Sequence, residues 1–294
     1  MQAGQPPVVD DLSFITTSKV VHLRAGDQAE GCDTDEMSTD PLRRGDRVAA
    51  ILERLSADRS LGVAELAESF GVSQATLRRD LKALQEQRLL TRTHGGAQAS
   101  DVAYELPVRY RDAQHREEKR RIAAAAVTRI PPGAHAIGLT GGTTTSEVAR
   151  LLVERTDLTV VTNALNIAAE LALRPRLRLV VTGGVSRSQS YELVGPWAEH
   201  TLLGLNLGIA FVGVDGITAE GGLTTHDEVE ARTNAVLIGR ARRTIVVADG
   251  SKLGHDLLAR IVDVQEVDEL ITDDSADENA VAALRGAGLT VTLV

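Results

Sequence analysis

Residues 72–82 read Val-Ser-Gln-Ala-Thr-Leu-Arg-Arg-Asp-Leu-Lys, and they decide how the first third of the chain folds. Ser73 is suited to cap a helix, because its hydroxyl accepts from a backbone N–H of the first turn. A helix begun there puts Leu77, Leu81 and Leu84 on one face, the spacing that buries a helix against a core. The opposite face then carries Gln74, Arg78 and Lys82, flanked by Ala75 and Arg79. Gln matches an adenine edge and Arg a guanine edge or a phosphate. These residue types suit a helix that enters the major groove of double-stranded DNA. Ser73 and Thr76 stand in the first turn, where free backbone N–H groups also favour a phosphate.

Upstream, Val48, Ile51, Leu52 and Leu55, then Val63, Leu66, Ala67 and Phe70, recur at helical spacing and predict two further helices. Ser-Phe-Gly-Val-Ser (69–73) supplies a glycine able to take positive φ and the capping serine, which makes a tight corner between the second and third helices. Downstream, Leu-Leu-Thr-Arg-Thr-His-Gly-Gly-Ala (89–97) alternates like a strand and ends in a glycine pair, so it reads as a β-wing. Arg92, Thr93 and His94 on that wing are placed to follow the DNA backbone or minor groove, although His94 serves equally well as a structural residue of the wing.

Periodicity alone leaves a second reading, a small helical module with solvated Arg and Lys. The wording narrows the choice. Gly-Val-Ala-Glu-Leu-Ala-Glu-Ser-Phe-Gly-Val-Ser-Gln-Ala-Thr-Leu-Arg-Arg-Asp-Leu (62–81) followed by Leu-Thr-Arg-Thr-His-Gly-Gly-Ala (90–97) closely resembles the DNA-binding domain of the DeoR family of bacterial regulators. One position departs from that pattern: Arg88 stands before the wing where the family usually has Gly.

The charge distribution agrees with a nucleic-acid module at this end. The net charge is −9, yet residues 1–41 carry −6, 42–96 carry +3, 97–129 carry +2 and 130–294 carry −8. Only the second and third segments are basic, and attraction to phosphate follows the local field. Residues 1–41, rich in Gly, Pro, Ser, Thr and acids, read as a disordered tail. Met37 at its end is an alternative start. The domain expectation is thus a winged helix-turn-helix over 42–97, a linker over 98–114 and a larger domain over 115–294.

Beyond a charged helix at 116–129, apolar strand candidates fall at 135–139, 158–162, 177–181, 207–213, 243–248, 269–272 and 289–293, with helical patterns between most of them. This alternation predicts an α/β domain with a mostly parallel, doubly wound sheet. Aromatic residues are only 2% of the chain, so its core is built from Ala, Val, Leu and Ile.

Thr140-Gly141-Gly142-Thr143-Thr144-Thr145 follows the first of these strands and opens a helix. Glycines let a ligand approach the backbone, while the hydroxyls and the helix N-terminus suit a phosphate, although such a turn is often only a turn. No Gly-Lys-Ser/Thr ending is present, which argues against a nucleotide P-loop. Loops after later strands hold Thr162-Asn163, Thr182-Gly183-Gly184, Gly213-Val214-Asp215-Gly216 and Asp249-Gly250-Ser251-Lys252. Ligands of open α/β sheets sit beyond the carboxyl ends of the strands, so these loops converge on one crevice. There Asn163 and Asp215 offer hydroxyl recognition and Lys252 a cationic point for phosphate.

The half from about Glu117 onward resembles the DeoR-family sensor domain, on Gly-Gly-Thr-Thr-Thr (141–145), Thr-Asn-Ala-Leu (162–165), Gly-Gly (183–184), Val-Asp-Gly-Ile (214–217) and Ser-Lys (251–252). The resemblance implies a fold related to ribose-5-phosphate isomerase and a phosphorylated sugar as effector. It further implies a repressor of a carbohydrate catabolism operon, released from operator DNA by that effector and working as a homo-oligomer, dimer or tetramer. Arg187, Glu230 and Arg232 are candidates for tuning which sugar fits, against the plainer reading of solvated faces. The 227–240 wording resembles the branch of the family that handles amino-sugar and galactitol-type catabolism.

The alternative is a sugar-phosphate isomerase-like enzyme. Isomerisation needs a carboxylate base beside the sugar; here Thr218 follows Asp215-Gly216-Ile217, and His200, His226 and His255 are scattered. No catalytic residue, cofactor or metal is expected, and the lone Cys32 excludes a multi-cysteine metal site. No membrane-spanning run and no signal pattern is present, so a cytoplasmic protein is expected.

Overall fold

The computed structural model describes residues 44–87, 89–98, 105, 107–112, 114–133 and 136–294. The expected tail, the alternative start at Met37, Cys32 and Arg88 lie outside them. The first module holds helices α1 (Arg44–Asp58), α2 (Val63–Ser69) and α3 (Gln74–Glu86). The wing is three-stranded, with β1 (Ser60–Gly62), β2 (Thr91–Arg92) and β3 (Gly96–Gln98) in the order β1-β3-β2. Ile51, Leu52, Leu55, Leu66, Leu77, Leu81 and Leu84 fill its core at 0–1% exposure. Burying a leucine fully stabilises the fold by roughly 1.5–3 kcal/mol, so this helical face is the module's main support. Gly71 takes φ 62° at the corner between α2 and α3. Gly96 is required for close approach, since a Cβ there would lie 1.8 Å from the Leu61 carbonyl oxygen across the β1–β3 pair.

A short helix α4 (Val108–Arg111) leads into α5 (Arg116–Val127) and the larger domain. Its sheet is seven-stranded and wholly parallel: β4 (Ala136–Leu139), β5 (Thr159–Thr162), β6 (Arg178–Val181), β9 (Ile209–Val212), β12 (Thr244–Val247), β14 (Glu269–Thr272) and β15 (Thr290–Leu293), in the order β15-β14-β12-β9-β4-β5-β6. These are the seven segments the apolar runs predict. Two smaller antiparallel sheets were not legible in those runs: the pair β7 (Val185–Ser186) and β8 (Leu193–Val194), and β10 (Gly216–Thr218), β11 (Gly222–Thr225) and β13 (Ala259–Val262) in the order β10-β11-β13.

Period-two alternation along the strands divides the core between two faces. Ile137, Leu139, Ile209, Phe211, Ile245 and Val247 pack with Ile122, Ala123 and Ala126 of α5, with α6 (Thr143–Leu151) and with α7 (Leu165–Leu171). Ala210, Val212, Val246 and Leu270 pack on the other face with α8 (Pro196–Leu203), α9 (Glu228–Gly239), α10 (Glu278–Gly286) and the β10-β11-β13 sheet. The sheet is therefore doubly wound. Its chain order reverses between β4 and β9: β4 continues through α6 to β5 on one side, while β9 lies on the other. Ligands of such sheets bind beyond the strand ends at this switch point.

Candidate functional site

On α3, the Ser73 hydroxyl accepts from the Thr76 N–H at 3.1 Å and lies 2.9 Å from the Thr76 hydroxyl, so the expected cap is formed. Gln74, Arg78, Arg79 and Lys82 are exposed on the face turned away from Leu77, Leu81 and Leu84. Arg78 donates to the Gln74 side-chain oxygen at 3.3 Å, which sets the two side chains next to each other on this face. The Arg79 side chain has no hydrogen bond or ion pair among the described residues, and that of Lys82 has only a solvent-exposed pair with Glu86 at 3.8 Å. Such a pair costs little to break, so these cations remain open to phosphate. Arg92, Thr93 and His94 are exposed on the wing, at the end of β2 and in the turn to β3. Beneath this surface, buried Asp80 accepts from Arg47 at 2.8 Å and pairs with Arg44 at 3.4 Å, which ties α3 to α1.

The second site is a cavity at the switch point. Gly141, Gly142, Thr143 and Thr144 from the β4–α6 turn line it, with Gly213 and Asp215 after β9 and Asp249, Ser251 and Lys252 after β12. Gly141 and Gly142 have to be glycines: a Cβ on Gly141 would lie 2.5 Å from the Glu192 carboxyl, and Gly142 takes φ 132°. The first N–H groups of α6 have no intrahelical partner, and Thr143 and Thr144 of that turn line the opening, a placement that favours an anion. The Lys252 ammonium has no hydrogen bond or ion pair among the described residues, so it is available there.

Acids face these cations. Asp215 is paired with Arg111, and its other oxygen lies 3.0 Å from the Thr225 hydroxyl, which lies 2.7 Å from Glu230. Burial would raise the Asp215 carboxyl, but Arg111, Lys252, His226 and the Thr225 hydroxyl outweigh it and bring it to about 2. Burial and the Asp215 charge push Glu230 up, against the Ser190 and Thr225 hydroxyls and Arg187. A hydroxyl has one proton to give. The Thr225 hydroxyl therefore donates to one of these two carboxyl groups at a time. Glu192 is also pushed well up by burial and by Glu230, although the Gly141 N–H donates to it at 2.6 Å and the Asn234 amide at 3.1 Å.

A model of the DeoR-like helix-turn-helix domain matches residues 47–102, and one of the DeoR C terminal sensor domain matches residues 114–274. The chain belongs to the DeoR family. A putative aga operon transcriptional repressor of Escherichia coli O157:H7 is 38% identical over 85% of this chain and 93% of its own length. The glycerol-3-phosphate regulon repressor of Escherichia coli K12 is 33% identical over 79% and 92%. The solved ribose 5 phosphate isomerase A from Neisseria gonorrhoeae, at 18% identity over 49% of this chain and 54% of that one, has a TM-score of 0.33, a likeness too low to bear on function. This DeoR-family chain is a DNA-binding transcription regulator, and these relatives give the isomerase alternative no support.

Within the DeoR sensor domain, the cavity gathers Gly141, Gly142, Thr143, Thr144, Asp215 and Lys252 and leaves out five other residues expected there. Thr145 is fully buried and donates back to the Gly142 carbonyl at 3.0 Å. Asn163 is a supporting residue, its amide donating to Glu192 at 3.2 Å and to Asn234 at 3.1 Å. Gly183 and Gly184 form the β6–β7 turn, where Gly184 lies against the Val194 backbone. Gly216 lies within β10, against the His255 carbonyl and the Thr224 hydroxyl. Of the tuning candidates, Glu230 lines the cavity, Arg187 lies behind it bound to Glu105, Asp227 and Glu230, and Arg232 is exposed with Glu199 at 2.9 Å.

Sequence reasoning did not single out Arg111, Lys119 or Glu192, which also line the cavity. Lys119 donates to the Arg111 carbonyl at 2.8 Å and the Gln114 carbonyl at 2.5 Å, and burial lowers its ammonium to about 8. The available signal was spacing: within a charged run, Lys119 stands at helical spacing from Ile122, Ala123 and Ala126 and so falls on the buried face of α5. Among the described residues no cluster of His, Cys, Asp or Glu is set to hold a metal, and no helix is long and apolar enough to cross a membrane.

Proposed function

We propose that the cavity holds a phosphorylated sugar or related intermediate, and that its binding releases the chain from operator DNA upstream of a carbohydrate catabolism operon. The observation that carries this reading is the opening at the β4–β9 switch point, where a free Lys252 ammonium and the α6 N-terminus face the carboxylates Asp215 and Glu230. The cationic side suits a phosphate. The acidic side suits hydroxyls, since carboxylates accept from them. The name of the glycerol-3-phosphate regulon repressor is consistent with a phosphorylated polyol, and the aga relative with the sugar-catabolic branch read from 227–240.

On α3, we assign Ser73 and Thr76 to phosphate, Gln74 and Arg78 to base edges, and Arg79 and Lys82 to base edges or phosphate, with Arg92, Thr93 and His94 on the wing. The sensor domains hold two or four chains together in the cytoplasm, which presents paired recognition helices to repeated half-sites. An effector shifts this assembly only if it binds the released state more tightly. Isothermal titration of the full chain with a panel of phosphorylated sugars tests the reading. One-site binding by a sugar phosphate and not by its unphosphorylated parent supports it; equal binding of both removes the phosphate assignment.

A further inference from the structure

The stretch between the two domains is bound on both sides. On the sensor side, the Arg111 guanidinium pairs with Asp215 in the cavity wall, Glu105 pairs with Arg187, and the Val108 N–H donates to the Gln189 carbonyl at 2.8 Å. On the DNA side, Arg109 and the Tyr110 hydroxyl both donate to the Gln87 side-chain oxygen, at 2.7 and 2.6 Å. Gln87 is the C-cap of α3, and the Tyr110 ring packs against the helix-turn-helix core. Three residues in a row thus connect the end of the recognition helix to the cavity. The Arg111 Nε is buried without a hydrogen-bond partner, and the side chain itself lines the opening. A buried, unsatisfied N–H is costly and invites an acceptor.

We infer that Arg111 is an effector-contacting residue and the one through which the cavity's occupant acts on α3. It rests on the reading that the cavity holds the effector. An anionic oxygen of the ligand satisfies Nε and draws the guanidinium from Asp215, and a ligand hydroxyl replaces it on that carboxylate. The turn of α4 that carries Arg111 also carries Arg109 and Tyr110, so moving Arg111 loosens their hold on Gln87. The closed Arg111–Asp215 pair corresponds to the DNA-binding state.

The test is a double-mutant cycle in operator affinity, on the full chain and a duplex selected by the wild type from a random library. Asp215→Asn, Gln87→Ala and Tyr110→Phe are each expected to weaken binding about tenfold without ligand, within the usual range of coupling between sites. The double variant Asp215→Asn/Gln87→Ala is expected to bind no more weakly than either single one, because both open the same connection. Affinities within twofold of wild type, or losses that multiply in the double variant, overturn the inference. Should Asp215→Asn fail to fold, Tyr110→Phe decides alone, since it removes one hydroxyl outside the cavity; unchanged operator binding by that variant refutes the connection. Failure of the effector reading is seen separately, as a wild-type chain that no phosphorylated sugar releases from the duplex.

Discussion

Arg47 of α1 donates to the Asp80 carboxylate of α3 at 2.8 Å, and the two side chains are only 6% and 3% exposed. Asp80 therefore belongs to the frame of the recognition helix, while its neighbours Arg78 and Arg79 belong to its outer surface. Asp80→Ala leaves a buried guanidinium without its carboxylate, a change that costs about 3–5 kcal/mol. Chemical unfolding followed by circular dichroism should show the helix-turn-helix module lost first, and operator binding lost with it. A variant as stable as wild type would mean that Arg44 and Arg47 find other partners.

Arg79 differs because it is exposed and its side chain has no partner among the described residues. Arg79→Ala should weaken operator binding by about 1–3 kcal/mol, roughly ten- to a hundredfold, and leave the melting temperature and sugar-phosphate binding unchanged. Gel shift and calorimetry on one preparation separate the two effects. Joint loss of DNA and ligand binding would contradict the division of labour between the domains.

Lys252 should behave in the opposite way. Lys252→Ala removes the free ammonium at the cavity mouth, so the variant should bind operator like wild type and fail to leave it when the effector is added. A full response by Lys252→Ala would place the phosphate elsewhere, with Arg111 the next candidate.

The pH dependence of stability follows from Lys119. Its folded value is about 8 against an ordinary 10.5. Below pH 8 both folded and unfolded chains carry the charge, and the burial penalty is fully present. Between 8 and 10.5 the unfolded chain holds the proton that the folded chain has released, so this residue makes the fold more stable as pH rises. Urea unfolding at pH 7.5 and 9.5 should show a larger gain for wild type than for Lys119→Met, which keeps every other titrating group. Equal gains in the two proteins would remove Lys119 as the cause.

The elements legible from sequence were those with a repeating apolar signal. Leu77, Leu81 and Leu84 marked α3, and runs such as Ile209–Val212 marked buried parallel strands. The strand Ser60–Gly62 carries no period, because it is held by a close backbone approach at Gly96 that leaves no side-chain pattern. The antiparallel strands beginning at Gly216 and Gly222 are three and four residues long and look like loops.

The same limit governs the cavity. Gly141 and Gly183 are alike in sequence, both following a strand and a threonine, yet only the first stands at the point where strand order reverses. That distinction depends on the β9-β4-β5 order, which single segments do not encode. Arg111 and Asp215 are 104 residues apart. Asp215 was legible as a loop acid of the crevice and Arg111 was not, and only the folded chain brings them together.

The measurement that tests the central claim most directly is a gel shift of the full chain on DNA upstream of its own gene, with and without a panel of phosphorylated sugars. A specific shift, abolished by one sugar phosphate and restored when that compound is removed, is the predicted result. No DNA binding, accompanied by turnover of a sugar phosphate, would contradict the account and make the cavity an active site.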